Sequence, residues 1–331
     1  MSNAASILTR PSIYTGLLDD ATLHQLPEPL PPHDDPDTPL VRLVDVYKAF
    51  GPLHVHRGVN LDVFRGQTTV LLGPSGTGKS VLIKEVIGLL QPDHGEVHFN
   101  GHRIDTMPEA QRVEQRLHMG FLFQMSALFD SMTIGENVGF PLDQHTHLDP
   151  DQRSRCVERV LAMVGLPGIQ AKMPAEVSGG QRKRVALARA IILQPALMLY
   201  DEPTTGLDPV SSDVINELMA ALPRNLGITS IVVTHDLTSA RKIADRWVLL
   251  YDGHVIADGP PDSFDQSQDP VVSRFIRGVA DQQDIDRIHD AFGALVTAPP
   301  TPPTPPDPPT PPDPPTPASA IPAPAPVRTE P

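Results

Sequence analysis

The sequence predicts an α/β fold interrupted by a helical insertion, and three observations carry that reading. From Val41 onward, strand-like apolar runs alternate with helix-like amphipathic stretches. Among the strand-like segments, TTVLLG is continuously apolar, the pattern of a strand covered on both faces. Before the strands resume, from about Asp151 to Leu193, the pattern turns helical.

Residues 1–39 hold seven Pro, and one Arg against six acids, so they read as a disordered or loosely draped arm. VRLVDV then alternates as a half-buried strand does, and TTVLLG, EVHFN and MGFLFQ follow. DQRSRCVERVLAMVG and QRKRVALARAIIL form the helical stretch. Strands return with ALMLYDE, ITSIVVTHD and RWVLLYDG, separated by helix-like SSDVINELMAAL and LTSARKIA. Trp247 lies in the last of these strands and reads as core. PVVSRFIRGV and QDIDRIHDAFGAL predict a short helical extension over 266–298. The tail, 299–331, holds 17 Pro, including five (T/D)PP triplets from Thr301 to Pro315. Such a segment forms neither helix nor sheet and reads as a polyproline II spacer.

A chain of 331 residues allows one or two domains with a real core. Its net charge is −14, and the body between the two Pro-rich ends is itself acidic. That excludes the broad basic face of non-specific nucleic-acid binding, and no nucleic-acid partner is expected. The single cysteine, Cys156, excludes an intramolecular disulfide and suits a reducing compartment. It reads as a small apolar residue on a helix. No apolar run approaches the roughly 18 residues of a spanning helix. The start, MSNAASILTRPSIY, has no charged n-region and no long h-region. A soluble cytoplasmic protein is expected, and any work on a membrane needs a partner that crosses it.

The sharpest local signal is GPSGTGKS: Gly73, Pro74, Ser75, Gly76, Thr77, Gly78, Lys79 and Ser80. It follows the apolar run TTVLL and opens the helical stretch SVLIKEVIGLL, beginning Ser80–Val81, which is the context a phosphate-binding loop requires. Glycines let backbone N–H groups converge on phosphate oxygens, and the helix N-terminus adds partial positive charge. Lys79 is placed to reach the β- and γ-phosphates of a nucleotide, and Ser80 to ligate Mg²⁺. A second signal is LMLYDE, an apolar strand ending in Asp201 and Glu202. Ligands of open α/β sheets bind beyond strand C-termini, so Asp201 can hold hydrated Mg²⁺ while Glu202 polarises a water. A third is VSGGQ, in which Ser178 and the amides of Gly179 and Gly180 can form an anion site at a helix start. Taken alone, the second pattern reads equally as a surface turn, and the third as an ordinary helix cap.

The three motifs in this order resemble the ATP-binding cassette ATPases, the nucleotide-binding subunits of ABC transporters. The resemblance covers about residues 40–260 and carries further motifs with it. Phe50, in VYKAFG, is similar to the aromatic that stacks on adenine. Gln124, in FLFQ, falls at the family's Q-loop, joining the Mg²⁺ site to the helical insertion. Gln181 completes the signature segment, Asp208 in TTGLDP resembles the D-loop acid, and His235 in VVTHD the switch histidine that senses the γ-phosphate. The resemblance implies a P-loop NTPase (RecA-like) core with an antiparallel β subdomain and an inserted α-helical signature subdomain. The cassette would then span 40–265, with its helical subdomain at about 124–192. It implies ATP and Mg²⁺ as ligands, Glu202, His235, Gln124 and Lys79 as the catalytic set, and Ser80, Gln124 and Asp201 as the metal set. It also implies a dimer in which the phosphate loop of one copy faces the signature segment of the other across ATP.

One phosphate loop, no long coiled coil, no CxxC pair and a short C-terminal extension leave a separate subunit that serves a membrane permease. GPSGTGKSVLIKEVIGLLQPDHGEV, LFQMSALFDSMTIGENVGFPL and VSRFIRG are similar to the ATPases of Mla-type lipid-asymmetry transporters, which work with MCE-domain lipid-binding proteins. Gln181 follows the general cassette pattern where many Mla-type members carry Met. Phospholipid transport is expected, from the inner face of the cell membrane. An importer subunit for polar amino acids or other small solutes is the alternative, followed by a regulatory cassette ATPase. Met125, Leu128 and Phe129 are candidates to line a groove for a permease helix.

Overall fold

Two sheets carry the strands that the sequence pattern marks out. The computed structural model describes residues 12–31, 38–280 and 286–290. In chain order it runs α1 (Asp20–Leu23), the hairpin β1 (Val41–Phe50) and β2 (Leu53–Val63), β3 (Thr68–Leu72) and α2 (Lys79–Val86). Next come β4 (His94–Phe99), β5 (His102–Arg103), α3 (Glu109–Arg116) and β6 (Met119–Leu122). A helical block follows: α4 (Ile134–His145), α5 (Pro150–Met163), a 3₁₀ turn at Pro174–Glu176 and α6 (Gly179–Ile191). Strand and helix then alternate through β7 (Leu197–Asp201), α7 (Pro209–Leu226), β8 (Thr229–Val233), α8 (Leu237–Ile243) and β9 (Arg246–Tyr251). β10 (His254–Gly259), α9 (Pro261–Asp265) and α10 (Pro270–Arg277) follow, and residues 286–290 are helical.

The smaller sheet is antiparallel, in the order β2-β1-β4-β5. The larger has the order β10-β9-β3-β8-β7-β6, with β10 antiparallel at one edge and the other five parallel. Every residue of β3, β7 and β8 is buried, as continuous apolar runs require when both faces are covered. In register, Val233 at the end of β8 stands beside Leu71 of β3 on one side and Asp201 of β7 on the other. The C-terminal ends of the three central strands therefore meet along one line, where open α/β sheets hold their ligands.

The helical pattern read from Asp151 misses α4. Gly135, Gly139 and Pro141 lower its intrinsic propensity. The helix is held instead by a capping box, in which Thr133 Oγ1 accepts from the Glu136 N–H, and by a buried face of Ile134, Val138 and Leu142. Cys156 is buried on α5, where burial pushes its thiol up to about 11, and Trp247 is fully buried edge-on to Phe264. The Pro-rich tail lies outside the described residues. Among the described residues, no helix is long and apolar enough to cross a membrane.

The arm departs from the loose drape expected of it. Residues 1–11 and 32–37 lie outside the description, but 12–31 pack closely. Tyr14 is fully buried, and its hydroxyl donates to the Ile192 carbonyl at 2.7 Å. Burial, then the nearby Cys156, holds its phenol well above the ordinary range. The Ile13 N–H donates to Gln194 Oε1 at 2.9 Å, Arg159 Nε donates to the Ile13 carbonyl, and Gln152 Nε2 donates to Thr22 Oγ1. Ile13, Leu18 and Leu26 join the same apolar cluster as α4, α5 and α6. The acidic, Pro-bearing composition averaged away a short apolar set whose partners lie far along the chain. Tyr14→Ala is expected to lower unfolding stability by about 3–5 kcal/mol, as for other large buried aromatics. A urea midpoint unchanged from wild type would contradict this packing.

Candidate active site

The loop from Gly73 to Gly78 joins β3 to α2, and its glycines are set by space as much as by conformation. A Cβ on Gly73, at φ 147°, would lie 2.2 Å from the Leu250 carbonyl oxygen. A Cβ on Gly78, at φ 95°, would lie 2.4 Å from Val55. Both positions demand glycine. Ser75 and Gly76 are exposed at the tip, while the Thr77 hydroxyl donates to the Pro74 carbonyl at 2.9 Å. Lys79 is buried, and its Nζ donates to the Gly73 and Pro74 carbonyls, each at 2.8 Å. Burial lowers its pKa, and Glu202 and Asp201 pull it back up. Val81 follows in the first turn of α2, half-buried.

Ser80 Oγ donates to Asp201 Oδ1 at 2.6 Å, across 121 residues of sequence. Both are hard oxygen donors of the kind that Mg²⁺ takes, alongside waters and phosphate oxygens, so the pair fits that ion. Among the described residues, no cluster of three or more His, Cys, Asp and Glu is placed to hold a metal alone.

Glu202, one residue past β7, has φ 49°, a left-handed backbone uncommon outside glycine. Its N–H donates to the Val233 carbonyl at 3.0 Å, so the end of β8 fixes this turn. His235 Nδ1 lies 2.8 Å from Glu202 Oε2, and Thr205 Oγ1 donates to the same oxygen at 2.9 Å. The carboxylate is thus oriented from both sides, while the imidazole stays largely open. This arrangement can hold a water and accept its proton.

The remaining candidates stand apart from this cluster. Phe50 is exposed at the end of β1, with the Lys48 ammonium 5.4 Å from its ring centre. Gln124 is exposed beyond β6, and among the described residues no hydrogen bond joins its side chain to Ser80 or Asp201. Ser178 caps α6: its Oγ accepts from the Gln181 N–H at 3.2 Å, and Gln181 Oε1 accepts from the Ser178 N–H at 2.9 Å. Gly179 and Gly180 form the first turn, and a Cβ on Gly180 would lie 2.8 Å from Ser211 Oγ. Asp208 caps α7, accepting from the Val210 and Ser211 N–H groups at 3.0 Å; the Ser211 side chain first, then these backbone donors, hold its carboxyl below the usual range. Within one chain the Ser178–Gln181 segment is a built helix start with no hydrogen bond to the loop at Gly73–Ser80 among the described residues.

Sequence reasoning missed the side chains that tie α6 to the Gln124 loop. Lys183 Nζ donates to the Phe123 and Gln124 carbonyls at 3.1 and 2.6 Å. Burial pushes Lys183 down to about 8, against the opposing pull of Asp201 and Glu202. Arg189 donates to the Ser126 carbonyl and stacks over Phe129. The available signal was the basic face of QRKRVALAR, which reads as solvated until the loop is seen beside it.

The ABC transporter family profile matches residues 56–205. A Haemophilus influenzae protein named intermembrane phospholipid transport system ATP-binding protein MlaF is 43% identical over 227 residues, covering 69% of this chain and 86% of that protein. A Mycobacterium leprae protein named probable ribonucleotide transport ATP-binding protein mkl is 40% identical over 231 residues, covering 70% and 67%. The solved dimeric post-hydrolysis structure of the ATP-binding cassette MJ0796, bound to ADP and Pi, superposes with a TM-score of 0.62 at 32% identity, covering 66% of this chain and 98% of that one. Fold and relatives agree with the motif order, and the chain belongs to the ABC transporter family, as an ATPase subunit.

Proposed function

We propose that this ATPase drives phospholipid transport between membranes, as a dimer seated beneath a membrane permease and working with an MCE-type lipid-binding protein. The observation that carries the chemistry is the convergence of Ser80, Asp201, Glu202 and His235 at the ends of β3, β7 and β8. The name of the MlaF relative supports the lipid substrate. Loop amides and Lys79 Nζ bind the phosphates of ATP, exchanging the Gly73 and Pro74 carbonyls for phosphate oxygens. Mg²⁺ at Ser80 and Asp201 neutralises charge on those phosphates when bound. Glu202 accepts the proton of a water whose oxygen attacks the γ-phosphorus. The bond to the β–γ bridging oxygen breaks, leaving ADP and inorganic phosphate. His235 holds Glu202 and reaches the γ-phosphate, and Gln124 reports its presence to the helical block. Phe50 stacks on adenine. Ser178, Gly179, Gly180 and Gln181 of the second copy close over the γ-phosphate, with Asp208 at the same interface. ATP then favours the closed dimer by its extra contacts in that state, and hydrolysis releases it.

The permease contact is proposed at a groove of about 600 Å³ lined by Phe121, Phe123, Phe129, Phe140, Arg189 and Leu193. Phe129 lines it and is 43% exposed; Met125 is exposed too, but neither it nor Leu128, which packs on the core, lines the groove. Purification of the native complex should bring phospholipid with it by mass spectrometry. Phe129→Asp should lose the permease while the isolated ATPase stays folded. A complex carrying a solute-binding protein, and no lipid, would favour the small-solute reading instead. Membrane fractions should contain the chain only when the permease is present.

A further inference from the structure

Beneath the phosphate loop lies an ionisable pair that the reaction described above does not use. His56 and Glu85 both have fully buried side chains, and His56 Nδ1 stands 3.0 Å from Glu85 Oε2. His56 Nε2 lies 3.1 Å from the carbonyl oxygen of Gly78. A bulge makes this possible. Lys48 pairs with His56 and Ala49 with His54, so Val55 is an extra residue on β2. Val55 and His56 are consequently buried in succession, where a regular strand would turn one of them out. Glu85 comes from α2, which the loop itself opens; neither of its carboxyl oxygens nor His56 Nδ1 makes an aligned hydrogen bond, so their 3.0 Å approach is a close contact of two otherwise unpartnered buried groups.

The protons follow from the partners. A carbonyl oxygen only accepts, so Nε2 carries a hydrogen and donates it to Gly78. The Glu85 carboxyl, 3.0 Å from Nδ1, packs against the other side of the ring. The Gly78 carbonyl also accepts from the Leu82 N–H at 2.9 Å, so its two lone pairs are taken by the first helical bond and by the imidazole. The peptide that joins Gly78 to Lys79 is planar and trans, so its N–H points opposite to its C=O. Holding that carbonyl against the buried imidazole turns the Lys79 N–H away from the core. The imidazole adds a second hold on that carbonyl beside the first helical bond, at a residue whose left-handed φ of 95° and missing Cβ restrain the backbone less than a side chain would.

We propose that His56, oriented by Glu85, is a positioning residue for the nucleotide: it locks the Gly78–Lys79 peptide so that the Lys79 amide is preset to donate to a phosphate oxygen. This deepens the reading of the loop as the ATP site and rests on it. The test uses the full-length protein and the fluorescent nucleotide mant-ATP with Mg²⁺. His56→Leu with Glu85→Leu removes both polar groups together and fills the space with core side chains. It should melt near the wild-type temperature yet bind mant-ATP about tenfold more weakly, the loss of one preset donor. His56→Gln with Glu85→Gln keeps an uncharged N–H at the carbonyl and should bind as wild type does. A purely structural pair predicts otherwise: once melting is restored, binding is restored too. The proposal is overturned if the folded Leu pair binds as tightly as wild type, or if the folded Gln pair is as weak as the Leu pair. Should the Leu pair not fold, ¹⁵N-histidine spectra of the wild type decide. The His56 ring signals, assigned with His56→Gln, should shift on addition of Mg²⁺ and ATP, and their failure to move overturns the idea. A wild-type chain that binds no mant-ATP at all would instead overturn the nucleotide-site reading.

Discussion

Glu202→Gln should leave ATP bound and cut its hydrolysis by about 10²-fold or more, the usual weight of a positioned general base. The substitution keeps shape and removes basicity. A Gln oxygen can still accept from Thr205 Oγ1, which now donates to Glu202 Oε2 at 2.9 Å. The amide cannot take a proton from water. Two further effects set the sign of binding. Glu202 is the first of the two carboxylates that raise the pKa of Lys79, so removing it leaves Asp201 alone in that role. It also removes a negative charge from beside the expected γ-phosphate, and a less repelled ATP stays bound at least as tightly. With cleavage blocked, the ATP-loaded dimer should accumulate, visible by light scattering with ATP and absent with ADP. Phosphate release at the wild-type rate would mean that another group takes the proton, and His235, the nearest titratable neighbour at 2.8 Å, would be examined next.

The chemistry of this site was legible because its parts are short, ordered and tied to strand ends. GPSGTGKS after TTVLL needs only local geometry to become a phosphate cradle, and LMLYDE needs only the rule that strands present ligands at their C-termini. The Ser80–Asp201 bond follows once both rules place Ser80 in the first turn of α2 and Asp201 at the end of β7, against which α2 packs. What stayed hidden depends on distant partners or on departures from period. His56 looks like a polar residue on an exposed strand face until the bulge at Val55 turns it inward. Glu85 looks like a solvated helix residue until β2 is laid beside it. Tyr14 sits in a Pro-bearing acidic arm, and its partner Ile192 is 178 residues away. The left-handed backbone of Glu202 has no sequence signal either, since it arises from the hold of Val233 on its N–H. Local composition predicts such positions poorly because tertiary contacts, not propensity, decide them.

Lys79→Ala should weaken ATP binding by about 10- to 100-fold, in line with the loss of hydrogen bonds to a charged partner. The present contacts explain why the effect falls on the nucleotide rather than on the fold. Without ATP the ammonium serves the Gly73 and Pro74 carbonyls, which belong to the loop's own backbone. Removing it frees two acceptors at a turn whose Ser75–Gly76 tip is exposed, so water can reach the loop and the destabilisation stays small. ATP changes the balance. Its phosphates bring several negative charges to a place already facing Asp201 and Glu202, and Lys79 and the nearby Lys183 are the two cations whose pKa values those carboxylates raise. Lys183 is committed to the Phe123 and Gln124 carbonyls and cannot replace Lys79. Nor should Lys79→Arg rescue binding, because a planar guanidinium is bulkier than the ammonium that fits between two carbonyls 2.8 Å away. Calorimetric titration with ATP and Mg²⁺, beside a thermal melt of the same variant, separates the two effects. Wild-type affinity in a folded Lys79→Ala would mean that the loop between β3 and α2 does not hold the phosphates.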